Sequence, residues 1–180
     1  MNTMKKLASL SLACVLSSGL SVAHAVDGFG IQAGHGDDST DLLRVDAKWN
    51  WDRKWPVGGD WLLTGYWEAS LGRWEGKGNG AKTLAEAAVT PVFRLLPAGR
   101  KSGLYAEAGI GVHLASAKRI NRDREFGSHF NFGTHVGFGV LFGDNGQYDL
   151  GYRFQHISNA GTASPNDGIN FHQVLLRYNY

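Results

Sequence analysis

The stretch LRVDAKWNW, Leu43 to Trp51, alternates without a fault: Leu43, Val45, Ala47, Trp49 and Trp51 fall on one parity, Arg44, Asp46, Lys48 and Asn50 on the other. Side chains along a β-strand point to opposite faces with a period of two, so this segment is a strand with one apolar and one charged face. In a soluble sandwich the charged face looks to water. In a small membrane barrel it fills the lumen while the apolar face meets lipid.

Segments further along repeat the pattern. Ala85, Ala87, Val89, Pro91, Phe93 and Leu95 share a face against Glu86, Thr90 and Arg94; Leu104, Ala106, Ala108, Ile110, Val112 and Leu114 oppose Tyr105, Glu107, Gly109, Gly111 and His113. Phe130, Phe132, Thr134, Val136, Phe138, Val140 and Phe142 oppose His129, Asn131, Gly133, His135, Gly137 and Gly139. The second face of each pair is small or polar, as a narrow, filled lumen requires. Strands near Phe29 to His35, Trp61 to Trp74, Gln147 to Ser158 and Ile169 to Tyr180 bring the count to eight. An even count closes an antiparallel barrel, and strands of about 9–12 residues match the membrane thickness. The expected fold class is therefore all-β, an eight-stranded antiparallel transmembrane β-barrel. Pro91 cannot donate to a ladder and weakens the register of its strand. The six tryptophans, Trp49, Trp51, Trp55, Trp61, Trp67 and Trp74, read mostly as interfacial girdle residues.

The N-terminus carries Lys5 and Lys6, an apolar run from Leu7 through Val22, and Ala23-His24-Ala25. That order is a secretory signal peptide over 1–25, leaving a single barrel domain over 26–180. A lipidated Cys14 would leave only Leu7 to Ala13 as the apolar core, with Ser11 poorly suited three residues before it. Cleavage after Ala25 removes Cys14, the only cysteine, so no disulfide is available. No later segment approaches ~18 consecutive apolar residues, and a net charge of +2 suggests no nucleic-acid partner. Glycine at 25 residues and aromatics at 12% suit a barrel wall, although a periplasmic sandwich shares that composition. The alternation along the strands favours the barrel.

Turn-rich connections at Asp52 to Asp60, Pro97 to Ser102 and Gly143 to Gly146 read as periplasmic turns, Asp144-Asn145-Gly146 being the clearest. The outer loops then fall near Gly36 to Thr40, Glu75 to Thr83, Ser116 to Gly127 and Asn159 to Gly168. The C-terminal face of Val174, Leu176, Tyr178 and Tyr180 closes on an aromatic residue, like the end of outer-membrane barrels.

One strand breaks the apolar rule. In the seventh, Tyr148, Leu150, Tyr152 and Phe154 continue into His156 and Ser158 on the lipid-facing parity, at the outer-leaflet end. Asn170 and His172 emerge beside them from the eighth strand. A serine hydroxyl becomes a nucleophile when a histidine takes its proton, and a third polar group orients that histidine. Cβ atoms two apart on a strand are roughly 6.5–7 Å apart, a gap two side chains can close. Ser158 as nucleophile, His156 as base and Asn170 or His172 as orienter is thus geometrically open, and the loop from Asn159 through Gly161 to Asn166 offers donors for an oxyanion.

The run Tyr152-Arg153-Phe154-Gln155-His156-Ile157-Ser158-Asn159-Ala160-Gly161, followed by Pro165-Asn166-Asp167-Gly168-Ile169, resembles the C-terminal signature of the outer-membrane lipid A 3-O-deacylases, the PagL-like esterases. The resemblance implies an esterase of the cell outer membrane that removes the ester-linked 3-hydroxyacyl chain at position 3 of lipid A, with lipopolysaccharide as substrate; no acidic cluster suggests a divalent site, so no cofactor is expected. By matching, Ser158 is the nucleophile and His156 the base, with Asn166 and loop amides near Asn159 and Gly161 as oxyanion donors. Where the family often carries a Glu as third triad member, this sequence has Asn170, which fixes a tautomer without supplying charge. His172 or Asp167 could assist.

The alternative from another class is a non-catalytic small barrel serving adhesion or membrane integrity. His113, His129 and His135 occupy lumen parity without acidic or cysteine partners at ligand spacing, so no metal site is expected. Glu86, Glu107 and Arg94 read as an internal polar network. Arg73, Lys77, Lys82, Lys118, Arg119, Arg122 and Arg124 gather at the outer loops, as solvated charge or as contacts for lipid A phosphates. Whether the barrel pairs as a homodimer is not set by the sequence.

Overall fold

Period-two segments that expose one apolar and one polar face have to pair edge to edge until no edge is left. The computed structural model describes residues 25–180, so all but the last residue of the expected signal segment lies outside the described residues. The strands are β1 (Gly28–Gly36), β2 (Thr40–Asn50), β3 (Trp55–Pro56), β4 (Trp61–Glu75), β5 (Thr83–Pro97), β6 (Gly103–Ala115), β7 (Phe130–Phe142), β8 (Tyr148–Ser158) and β9 (Ile169–Asn179). The two-residue β3 only extends the β2–β4 connection, pairing with Leu62 and Leu63. The other eight run β2-β1-β9-β8-β7-β6-β5-β4, and pairing of β2 with β4 closes the barrel.

The parities expected from sequence hold. Leu43 and Val45 are exposed outside while Arg44, Asp46 and Lys48 are buried inside, and the same division runs through β5 to β9. Pro91 stays in the sheet: it pairs with Trp67 of β4, while the ladder to β6 lapses at Thr90 and Pro91 and resumes in the same register at Val92. The missing donor costs a local gap in one ladder and no slip. Two expectations need correcting. Trp74 is not a girdle residue but is 1% exposed inside the barrel, because the sequence of β4 does not alternate cleanly enough to set its parity. His129 lies before β7 begins, exposed, with its Nδ1 on the Ala115 carbonyl at 2.7 Å, rather than on the lumen face.

The lumen is a filled charge network. Four buried arginines, Arg44, Arg94, Arg153 and Arg177, pair with five buried carboxylates, Asp46, Glu68, Glu86, Glu107 and Asp149, and the buried Lys48 ammonium lies 5.2 Å over the Tyr66 ring. Arg153 reaches Glu107 at 2.6 Å and Glu68 at 2.9 Å, Arg177 reaches Asp46 and Glu68 at 2.6 Å, and Arg94 reaches Glu107 at 2.7 Å and Asp149 at 2.9 Å. The Tyr66 hydroxyl donates to Glu107 and receives N–H groups of Arg94, Arg153 and Arg177. Lumen glycines supply room for this: a Cβ at Gly139 would stand 2.3 Å from the Tyr105 hydroxyl, and one at Gly151 2.5 Å. That hydroxyl donates to Asp149 at 2.6 Å.

Toward the end bearing the long loops the lumen turns apolar. Leu42, Trp74, Leu84, Ile157, Ile169 and Phe171 from the wall meet Ile120 and Phe126 from the β6–β7 loop, which folds over the mouth. Trp74 lies edge-on to Phe171 at 5.1 Å and to Phe126 at 5.9 Å, and its Nε1 donates to Glu86 at 3.0 Å, linking the plug to the charged layer. The opposite end carries an aromatic cluster in which Trp51 sits 4.9 Å from Phe93.

Removing one partner from a buried ion network leaves an uncompensated charge, whereas an exposed pair contributes little. Glu68→Ala is accordingly expected to destabilise the folded barrel by about 3–5 kcal/mol. Arg73→Ala, which breaks the exposed pair with Glu75 at 3.1 Å, should cost less than about 1 kcal/mol. Urea titrations followed by heat-modifiable gel mobility separate the two.

Candidate active site

Adjacent antiparallel strands put directly opposed residues within side-chain reach. In the β8–β9 pair His156 stands opposite Asn170, and Phe154 opposite His172. His156 is exposed on the outer face and Ser158 is half-buried on that face, at the end with the long loops. His156 Nδ1 meets Asn170 Oδ1 at 2.8 Å. A carbonyl oxygen accepts, so Nδ1 carries the proton and Nε2 is left as the basic nitrogen. No hydrogen bond joins Ser158 to His156 among the described residues. The two share a face two residues apart, and a gap of that kind before substrate arrives is common in hydrolase sites.

His172 is turned to other work. Its Nδ1 contacts the Tyr152 hydroxyl at 2.6 Å, and its ring lies 5.2 Å from that of Phe154. Asp167 is likewise engaged, accepting the Glu125 N–H at 2.7 Å. Of the candidates for the third position, Asn170 is the one in contact with His156.

The β8–β9 loop is built around Asn159, which is fully buried. Its Nδ2 donates to the carbonyls of Phe126 at 2.7 Å, Ala163 at 2.9 Å and Pro165 at 3.2 Å, and its Oδ1 accepts the Gly161 N–H at 2.8 Å. The Asn159 N–H goes to Asn166 Oδ1 at 2.9 Å. The Asn159 and Gly161 N–H groups are thus spent within the loop. Asn166, exposed and held through its oxygen, keeps its Nδ2 without a partner among the described residues. Phe126 therefore serves twice, its ring in the plug and its carbonyl under Asn159. At the far end of the loop Gly168, at φ +61°, lets backbone lie against the His156 ring; a Cβ there would be 2.9 Å from Cε1.

Behind Asn170 stands a residue that strand parity did not single out. Asp37, in the short 3-10 turn Asp37–Ser39 between β1 and β2, accepts from Asn170 Nδ2 at 2.9 Å and from the Asn170 backbone N–H at 3.0 Å through Oδ2. Arg124 of the β6–β7 loop lies 3.7 Å from Asp37 and 2.5 Å from Asp38, and bonds the Gly168 carbonyl. Other loop cations are also paired: Lys77 sits 2.6 Å from Asp41, whose carboxylate holds the ammonium above its usual range, while Lys118, Arg119 and Arg122 are exposed.

The family model described as lipid A 3-O-deacylase (PagL) matches residues 42–179. The chain is 38% identical over 177 residues to the lipid A deacylase PagL of Pseudomonas aeruginosa, covering 97% of this chain and 98% of that one. It is 29% identical over 182 residues to the lipid A deacylase PagL of Bordetella bronchiseptica, covering 96% and 92%. A crystal structure of the outer membrane enzyme PagL superposes with a TM-score of 0.76 at 31% identity, covering 85% of this chain and 99% of that one. With eight closed strands, a polar cluster on the lipid face and these likenesses over nearly its full length, the chain belongs to the lipid A 3-O-deacylase family of outer-membrane enzymes.

Proposed function

We propose that this outer-membrane hydrolase releases the 3-hydroxyacyl chain at position 3 of lipid A through Ser158 and His156, with Asn170 as the orienting group. The observation that carries the reading is the 2.8 Å contact of His156 Nδ1 with Asn170 Oδ1 on the lipid-facing side of the wall, beside a serine of the same parity. The acyl chain lies along the apolar exterior and brings its ester carbonyl to Ser158. Oγ attacks the carbonyl carbon as His156 Nε2 takes the hydroxyl proton. The tetrahedral oxyanion is met by Asn166 Nδ2, which the Asn159 N–H steadies from behind. Collapse breaks the bond to the sugar oxygen, which leaves with the proton from His156. Water, activated by the same imidazole, then attacks the acyl-enzyme carbonyl, freeing a 3-hydroxy fatty acid and restoring Ser158.

The exposed Lys118, Arg119 and Arg122 suit the lipid A phosphates. The chain reaches the outer membrane by an N-terminal signal cleaved after Ala25, leaving one barrel domain over 26–180. A barrel serving only adhesion or integrity does not call for His156, Ser158 and Asn170 to converge on its outward face.

Mass spectrometry of lipid A from cells producing each variant tests the assignment. Ser158→Ala and His156→Ala should each cut deacylation by at least about 10³-fold with the folded barrel retained; release by Ser158→Ala at the wild-type rate overturns it. Asn166→Ala should lower kcat by about 10²-fold with little change in KM, since an oxyanion donor acts in the transition state.

A further inference from the structure

Resting on the esterase reading above, we infer that Asp37 is a positioning residue: it locks the Asn170 amide for His156 and supplies the negative charge that Asn170 itself lacks. The polarity of an asparagine amide follows from its partners. Asp37 Oδ2 can only accept, and it lies 2.9 Å from one end of the Asn170 amide, so that end is the NH₂ group. The other end is then the oxygen facing His156 Nδ1 at 2.8 Å. Reversing the amide would set a carbonyl against a carboxylate. The second bond, from the Asn170 backbone N–H to the same Oδ2 at 3.0 Å, ties Asp37 to β9 itself.

When His156 takes the serine proton it becomes imidazolium, and a carboxylate hydrogen-bonded through a polarisable amide favours that charge. The charged groups around it are Asp37, Asp38 and Arg124, with Asp167 and Glu125 farther along the loop. Arg124 bonds Asp38 at 2.5 Å and stands back from Asp37 at 3.7 Å, so Asp37, Asp38 and Arg124 together carry one net negative charge. On the same face His172 is occupied by Tyr152, and His35, opposite His172 on β1, is bonded to Asp41 at 2.7 Å. A triad with a neutral third member is thereby extended to a fourth residue, from the opposite end of the chain.

The test uses the full barrel in detergent micelles with purified lipopolysaccharide, measuring kcat, KM and the pH dependence of fatty-acid release for Asp37→Asn and Asp37→Ser. Both keep a hydrogen-bonding group and remove the charge. Each should lower kcat on the order of 10-fold with KM unchanged. Loss of the negative charge makes the imidazolium harder to form, so the acid limb of the kcat/KM profile should move to lower pH. Asn170→Glu in the Asp37→Asn background places a carboxylate directly against His156 and should restore most of kcat; in the wild-type background it sets two carboxylates together and should lower activity. Wild-type kcat and an unmoved acid limb in both Asp37 variants overturn the inference. So does a loss of kcat with an unmoved limb that Asn170→Glu fails to repair, and so does failure of both variants to give the heat-modifiable folded band, which makes Asp37 a fold residue only. Activity persisting in Ser158→Ala is a separate outcome that strikes the esterase mechanism itself.

Discussion

A closed sheet is a wall one residue thick, and every side chain on it has two destinations: a narrow interior or the lipid outside. Charge sorts to the interior because the hydrocarbon cannot solvate it. Inside, the groups are buried away from bulk water, so each guanidinium needs carboxylates and each carboxylate needs donors. Four guanidiniums set against five carboxylates meet that demand, with Tyr66 at their centre and glycines clearing the space, while the Lys48 ammonium lies over the Tyr66 ring. Polar residues that the parity sends outward lack that reason, which is why His156, Ser158 and Asn170 on the outer face carry the proposed chemistry.

The architecture carries the site by stages. The charged layer holds the strands in register; above it the apolar plug seats Ile120 and Phe126. The Phe126 backbone then braces Asn159, Asn159 shapes the β8–β9 loop, and the loop presents Asn166 and lays Gly168 against His156. A lipid-facing site on a rigid wall is thus supported from within the barrel. The proposed chemistry faces outward and its scaffolding faces inward.

What the sequence disclosed was whatever depends on local periodicity. The strand count, the faces of β2 and β5 to β9, and the convergence of His156, Ser158, Asn170 and His172 on one outward face follow from alternation and from two neighbouring strands joined by one loop; which of Asn170 and His172 meets His156 does not. Trp74 escaped because the segment Trp61–Glu75 mixes apolar and polar residues on both parities, leaving its inward face undetermined. Asp37 escaped for a different reason. It is 133 residues from Asn170 in sequence, and the two meet only because β1 pairs with β9 when the barrel closes. Closure is a global property with no local signature in the chain. Asn159 lay between: its position in the loop was visible, but its burial beneath three carbonyls depends on where the β6–β7 loop folds.

The plugged, ion-paired interior also fixes how this enzyme meets its substrate. With the lumen filled by side chains among the described residues and the proposed nucleophile Ser158 on the outer wall, lipid would reach it by drifting sideways within one leaflet, a search in two dimensions. Turnover then depends on the mole fraction of substrate in the surrounding film rather than on its concentration in bulk water, and diluting the film with inert amphiphile slows the enzyme at constant total substrate. By the same logic, an effective inhibitor has to partition into that film first.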